Sequence, residues 1–296
     1  MQKIILDTDI GDDIDDALAL TFAIMTGKLE LLGVTTVFKN AEQRAELACC
    51  VLETLDRPEI PVYAGIGTPL FESIPDWEKV VANHQLRQME ILKKQGPSIK
   101  PQQGRAVDFI IDTVMNGDGD ITLVPIGPLT NIAAAFIVEP RLAQKAKICL
   151  MGGVTNDLRA EWNILCDPDA AHVVFNTGVP ITMVGLDVTL KCVMTDKQVA
   201  AIRAVDRPIN QICFELIHLW GGENPKPRPT LHDPLATAVV TDPTFCEQRE
   251  MRIETEIRAD HLRGATVPVR GEPNASVCVD VDADRFMNYF VETLTA

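Results

Sequence analysis

The stretch KIILDTDIGDDIDDALALTFAIMTG, residues 3–27, decides how this chain folds. Lys3–Leu6 opens an apolar, β-branched run that suits a strand buried on both faces. Asp7–Asp16 then packs six carboxylates into ten residues. Asp16–Thr26 reads as a helix, with acids in its first turn and Gly27 just past its end. The same alternation continues outward. Further buried-strand runs occur at Leu31–Val37, Ile121–Ile126, Ile148–Met151 and Ile181–Leu186, with helical patterns at 41–56, 105–116 and 130–138. Strands alternating with helices predict a parallel α/β sheet with right-handed crossovers. Runs at 251–257, 266–270 and 276–281 read as short strands, open to antiparallel pairing, in an elaborated C-terminal part.

At 296 residues and 46% hydrophobic, the chain is able to bury one large core, and no Gly/Ser linker divides it. A single domain over 1–296 is expected. Its least regular part, with Pro69, Pro75, Pro97 and Pro101, marks 68–104 as a candidate lid, with a plain surface excursion as the alternative. The formal charge of −15 repels a polyanion, so no nucleic-acid partner is expected. No apolar run reaches the roughly 18 residues that span a bilayer, so no membrane partner is expected either. The eight scattered cysteines form no C-x-x-C pair and read as reduced, buried residues of a cytoplasmic protein. No G-x-G-x-x-G follows the first strand, which leaves a nicotinamide or flavin cofactor without support.

In open parallel sheets, ligands bind beyond the carboxyl ends of the strands. Here those ends lead into the aspartate run, then Phe38-Lys39-Asn40, Gly127–Asn131, Gly152-Gly153 followed by Asn156, Glu161 and Asn163, and finally Asp187 and Thr189. Six neighbouring carboxylates stay ionised in a dry site only if a cation joins them. Their hard oxygens suit Ca²⁺ or Mg²⁺ rather than zinc. An acid-decorated helix start would need only one or two aspartates. His232-Asp233-Pro234 precedes an apolar helical run and offers a further carboxylate toward the same cleft, or a simple helix cap.

DTDIGDDIDDALAL, VTTVFKN, LVPIGPLTNIA, LMGG, AEWNILCDPDAAHVVF, TMVGLDVT and LHDP, in this order from residue 3 to about 240, resemble the inosine-uridine-preferring nucleoside hydrolase family. The resemblance implies an open, mostly parallel, Rossmann-like α/β sheet with Ca²⁺ at its carboxyl end, Mg²⁺ being the alternative. It implies metal-dependent hydrolysis of the N-glycosidic bond of a ribonucleoside, in purine or pyrimidine salvage, by a homodimer or homotetramer. Residue by residue, it implies that Asp9, Asp16, Asp233 and the Ile126 carbonyl hold the cation and that Asp9 is the general base toward water. It further implies that Asp15, Asn40 and Asn163 hold the ribose hydroxyls, that Asn156 and Glu161 meet the 5′ end of the sugar, and that His232 serves the leaving base. These residue types suit a reaction that builds positive charge on the ribose, which carboxylates beneath the sugar favour in the transition state.

Two departures stand out. The Ile10–Ile14 connection between Asp9 and the Asp15-Asp16 pair is two residues longer than in most of the family, which leaves Asp12 or Asp13 as an alternative ligand. Where the family carries His-Gly-x-x-Gly, this chain has Asn83-His84-Gln85 without the glycines, and His84 reads as a surface residue of a helix near 78–94. Base preference is therefore open, and a non-standard riboside or a riboside-binding protein without turnover are the alternatives. His172 is expected to pack inside its helix. Trp162, between Glu161 and Asn163, is the aromatic residue expected nearest the sugar, whereas Phe214 and Trp220 are expected to pack. A haloacid-dehalogenase-type phosphatase also opens on a strand and D-x-D, but Gly11 stands where those enzymes need Thr or Val.

Overall fold

The computed structural model describes residues 1–71, 86–94 and 96–296. Most of the candidate lid, the helix expected near 78–94 up to residue 85, and His84 with it lie outside the described residues. The strands are β1 (Gln2–Thr8), β2 (Leu29–Thr36), β3 (Val62–Ala64), β4 (Ile121–Pro125), β5 (Ala146–Met151), β6 (Ile181–Val184), β7 (Cys246–Thr255), β8 (Thr266–Val269) and β9 (Ala275–Val281). They form one sheet in the order β3-β2-β1-β4-β5-β6-β9-β7-β8. Neighbours from β3 to β9 pair in parallel. β7 runs antiparallel to both β9 and β8. The three C-terminal strands therefore mix the two modes: β9 extends the parallel part, and β7 and β8 continue the sheet in antiparallel pairing to its edge. β3 has no counterpart in the sequence reading, because three residues after a proline are too short a run to show a period.

Side chains alternate across the strands, and each face has its own core. Ile4 and Leu6 of β1 face one cluster with α1 (Asp15–Met25), α2 (Ala41–Thr54) and the helices Pro208–Gly221, His232–Thr241 and Ala283–Thr295. Ile5 faces the other, with Ala106–Asn116, Thr130–Val138 and Pro168–Phe175. Beyond its two acids, α1 is mostly apolar because residues 17–23 are buried on every side. Phe22 stacks on Phe290 at 5.8 Å and meets the edge of Tyr289 at 5.6 Å. All eight cysteines are buried and free, as expected. His172, expected to pack, lies exposed on its helix; Val174 and Phe175 occupy the buried face instead.

The chain runs outward from β1 through β2 to β3, then crosses back to β4 and runs outward the other way. The order thus reverses between β1 and β4, and a crevice opens where their carboxyl ends part. Asp7 lies opposite Pro125, and the Ile126 N–H donates to the Asp7 carbonyl at 2.8 Å, so Asp9 and Ile126 leave the sheet side by side. Asp7 itself is fully buried and structural. Its Oδ1 accepts from the Thr35 hydroxyl at 2.5 Å and from Asn131 Nδ2 at 2.8 Å. Asn131 also donates to the Thr36 carbonyl and accepts from the Ile66 N–H, so one side chain ties together the ends of β1 and β2 and the turn after β3.

Candidate active site at the switch point

A cavity of about 240 Å³ occupies this crevice. The aspartate run supplies Asp9, Asp12, Asp13, Asp15 and Asp16 to its wall, and the end of β4 supplies Ile126. Met151, Glu161, Trp162, Asn163, Leu186, His232 and Asp233 complete it. Of the predicted site residues, Asp9, Asp15, Asp16, Ile126, Glu161, Asn163, His232 and Asp233 therefore meet in one place. Asn40 and Asn156 do not join the wall. Asn40 is exposed at the start of α2, and Asn156 is exposed with its backbone N–H donating to Asp187 Oδ1 at 3.0 Å.

Among the described residues, one oxygen each of Asp15, Asp16 and Asp233 lie within 4.8 Å of one another, and all three residues are buried. Two of them belong to the predicted ligand set; Asp15 takes the third place in the group and Asp9 faces the same space from the end of β1. Asp233 sits in the first turn of its helix and not at the cap, which is Leu231. Its N–H donates to Asp15 Oδ2 at 3.1 Å, so the helix end and α1 are locked together. The Thr8 hydroxyl donates to Asp16 Oδ1. The Ile126 carbonyl accepts from Asn163 Nδ2 at 2.9 Å and keeps a second lone pair.

The electrostatics are those of a site built for a cation. Burial pushes Asp9 up to about 7, against the opposing charge of Arg44. Burial and then repulsion from neighbouring carboxylates drive Asp15, Asp16 and Asp233 well above the usual carboxylate range. Clustered buried carboxylates without a counter-ion are costly, and a divalent ion held by hard oxygens removes that cost. The residues present therefore fit Ca²⁺ or Mg²⁺. Asp12 has a different partner: its carboxylate meets Arg44 Nη2 at 3.0 Å in a buried ion pair. The six-carboxylate run thus divides into structural members, Asp7 and Asp12, members that converge on the cavity floor, and Asp13 at the exposed rim.

The opposite wall is polar and fixed. Glu161 caps the helix Trp162–Cys166, accepting from the N–H groups of Asn163 at 2.9 Å and Ile164 at 3.3 Å, and from Gly153 at 2.9 Å. Trp162 lines the cavity and meets Phe38 edge-on at 6.4 Å. Phe214 and Trp220 pack against the core. His232 Nδ1 lies 2.7 Å from the Thr189 hydroxyl, and burial pushes the imidazole down to about 4, so it is neutral at pH 7. Thr189 was visible only as a polar residue after a strand; its tie to His232 joins residues 43 positions apart. Gly127 is a further part of the site. A Cβ there would stand 2.7 Å from Asp9 Oδ1 and 2.9 Å from the Asp9 backbone nitrogen. Gly127→Ala is expected to displace Asp9 and to lower kcat at least about 10²-fold, the scale of a 1 Å misplacement in a catalytic site. Steady-state kinetics on the folded variant measure it, and wild-type turnover would show that Asp9 need not sit where it does.

The chain is similar over nearly its whole length to known nucleoside hydrolases. The inosine-uridine preferring nucleoside hydrolase profile matches residues 4–288. A pyrimidine-specific ribonucleoside hydrolase RihB of Escherichia coli is 34% identical over 316 residues, covering 96% of this chain and 94% of that protein. A pyrimidine-specific ribonucleoside hydrolase RihA of a Shewanella species is 33% identical over 310 residues, covering 99% and 96%. The solved structure of a purine-preferring ribonucleoside hydrolase from Gardnerella vaginalis superposes with a TM-score of 0.86 at 30% identity, covering 99% of this chain and 98% of that one.

Proposed function

The chain belongs to the inosine-uridine preferring nucleoside hydrolase family and is a metal-dependent ribonucleoside hydrolase, and from that premise we propose how its residues divide the work. Asp16, Asp233, Asp9 and the Ile126 carbonyl are the groups that would hold Ca²⁺. When bound, the ion supplies a positive charge that makes water easier to deprotonate and orients it. Asp9 takes the water's proton. Asp15 and Asn163 hold the ribose hydroxyls, and Glu161 meets the 5′ end of the sugar. Asn40 and Asn156, which the resemblance assigned to the ribose hydroxyls and the 5′ end, stand outside the cavity wall and take no part in this division. The carboxylates beneath the ribose favour the oxocarbenium character that grows as the glycosidic bond breaks. The water oxygen bonds to the anomeric carbon as the bond to the base breaks, and the base leaves with that electron pair, hydrogen-bonded by His232.

The observation that carries this reading is the convergence of three buried carboxylates from α1 and a distant helix at the strand-order switch, under a wall holding Glu161, Asn163 and His232. The eight buried, free cysteines support a reducing compartment, and we place the reaction in cytoplasmic nucleoside salvage by a homodimer or homotetramer. Among the described residues no helix is long and apolar enough to cross a membrane. Relatives named for pyrimidine and for purine preference are both at hand, so the test covers both bases.

The test is ribose release from inosine, uridine, adenosine, cytidine and para-nitrophenyl riboside, with and without EDTA. Release that EDTA stops and Ca²⁺ restores is expected. Release indifferent to EDTA would remove the cation, and no release from folded, Ca²⁺-loaded protein would shift the assignment to a non-standard riboside. Binding should also show in stability. Raising Ca²⁺ from none to a hundred times its Kd is expected to stabilise the fold by about 2.7 kcal/mol, or about 4–8 °C in melting temperature. An unchanged melt would count against a native cation site.

A further inference from the structure

Arg44 lies on α2, outside the cavity wall, yet it is fully buried. Its guanidinium donates to four acceptors. Nε reaches the Phe38 carbonyl at 2.8 Å, Nη1 the carbonyls of Asp9 and Ile10, the latter at 3.0 Å, and Nη2 the Asp12 carboxylate at 3.0 Å. A rigid planar fork is what lets one side chain hold so many points. These acceptors belong to two segments that must meet, the chain leaving β1 and the turn leaving β2. That turn is strained: Phe38 and Lys39 stand at φ 73° and 50°, a costly region for bulky residues. From elsewhere in the chain, the buried Gln88 donates Nε2 to the carbonyls of Asp13 at 2.7 Å and Asp12 at 3.3 Å. The connection Ile10–Ile14, with Gly11 at φ 110°, is thus gripped by two side chains remote in sequence.

We infer that Arg44 is a positioning residue of the hydrolase: with Gln88 it clamps the Ile10–Ile14 connection, so that Asp9 from β1 and Asp16 from α1 present their carboxylates to one cation. This rests on the reading of the cavity as a Ca²⁺-dependent hydrolase centre. Of the groups assigned to the sugar, Glu161 and Asn163 are held at the ends of β4 and β5, through Ile126, Met151 and Gly153, and not by this clamp, whereas Asp15 directly follows the clamped connection.

The test is Arg44→Lys in the full chain, which keeps the charge but not the fork. Cation-stripped protein is titrated with Ca²⁺ by calorimetry, with circular dichroism and melting in EDTA reporting the fold. The folded variant is expected to bind Ca²⁺ about 10–100-fold more weakly, as when groups behind metal ligands are removed. At saturating Ca²⁺ its kcat is expected to fall at least about tenfold while KM for the nucleoside changes less than about threefold. A lower melting temperature with unchanged Ca²⁺ affinity and kcat would make Arg44 merely structural and overturn the inference. Should Arg44→Lys not fold, Gln88→Leu carries the same test: it keeps the volume and removes both amide bonds, so weaker Ca²⁺ binding supports the clamp and unchanged binding overturns it. A wild-type chain that neither binds Ca²⁺ nor releases ribose would instead overturn the reading beneath it.

Discussion

Asp9→Ala is expected to abolish nucleoside hydrolysis while leaving the protein as stable as the wild type, or more so, in EDTA. The two halves of this result have one cause. Asp9 is a buried carboxylate among buried carboxylates, and burial is the largest influence on it, followed by the opposing charge of Arg44 and repulsion from Asp12. A carboxyl forced up to about 7 is one whose charge the fold disfavours. Removing it relieves repulsion in the cation-free state. The same removal takes away the group assigned to accept the proton of water, a contribution typically of about 10²–10⁴ in rate, and weakens the cation site as well. The variant should retain less than about a thousandth of wild-type kcat. Asp9→Asn, which keeps the shape, should be equally inactive. Ribose release and melting in EDTA measure both halves. A variant retaining a tenth of the activity would end the assignment of Asp9 as base, and a strongly destabilised one would show that the carboxylate serves the fold.

His232→Ala is expected to act according to the leaving group. With inosine, kcat should fall about 10²-fold, the lower end of what a positioned proton donor contributes. With para-nitrophenyl riboside, whose leaving group departs as a stable anion, the loss should stay below about threefold. The lower end follows from the environment of the ring. Burial pushes His232 down to about 4, so at pH 7 it carries one N–H rather than two. When the Thr189 hydroxyl donates to Nδ1 across 2.7 Å, that hydrogen sits on Nε2, the nitrogen left for the base. A neutral imidazole then donates a hydrogen bond to the departing base and contributes less than a full imidazolium. Thr189→Val, which removes the partner of Nδ1, should reproduce part of the inosine defect and none of the para-nitrophenyl one. Equal losses on the two substrates after His232→Ala would take the residue out of the leaving-group role.

Much of this site was legible in one dimension because its parts follow strands. Asp9 follows an apolar run, Ile126 closes one, and Asn163 lies beyond the loop that leaves a third; a parallel sheet sends all such strand ends to the same side. The aspartate density between β1 and α1 announced a cation because no helix start needs so many acids. The resemblance then assigned roles to Asp15, Glu161, His232 and Asp233, which the cavity brings together. What stayed hidden was the sorting of like residues by partners far along the chain. Asp7 and Asp12 look the same in sequence as Asp15 and Asp16. Asn131 draws Asp7 into the sheet from 124 positions away, and Arg44 takes Asp12 from 32 positions away. Arg44 did leave a trace: it falls on the apolar stripe Ala41, Ala45, Ala48 of α2, where a charge has no reason to be unless something buried receives it.

The sequence by itself determined the alternation of strands and helices, the acidic loop and the chemistry that loop permits, because hydrophobic period and residue type are local properties. Only the tertiary structure decided which carboxylates converge. That choice depends on the reversal of strand order between β1 and β4, on helix His232–Thr241 packing its first turn against α1, and on which buried donors reach each acid first.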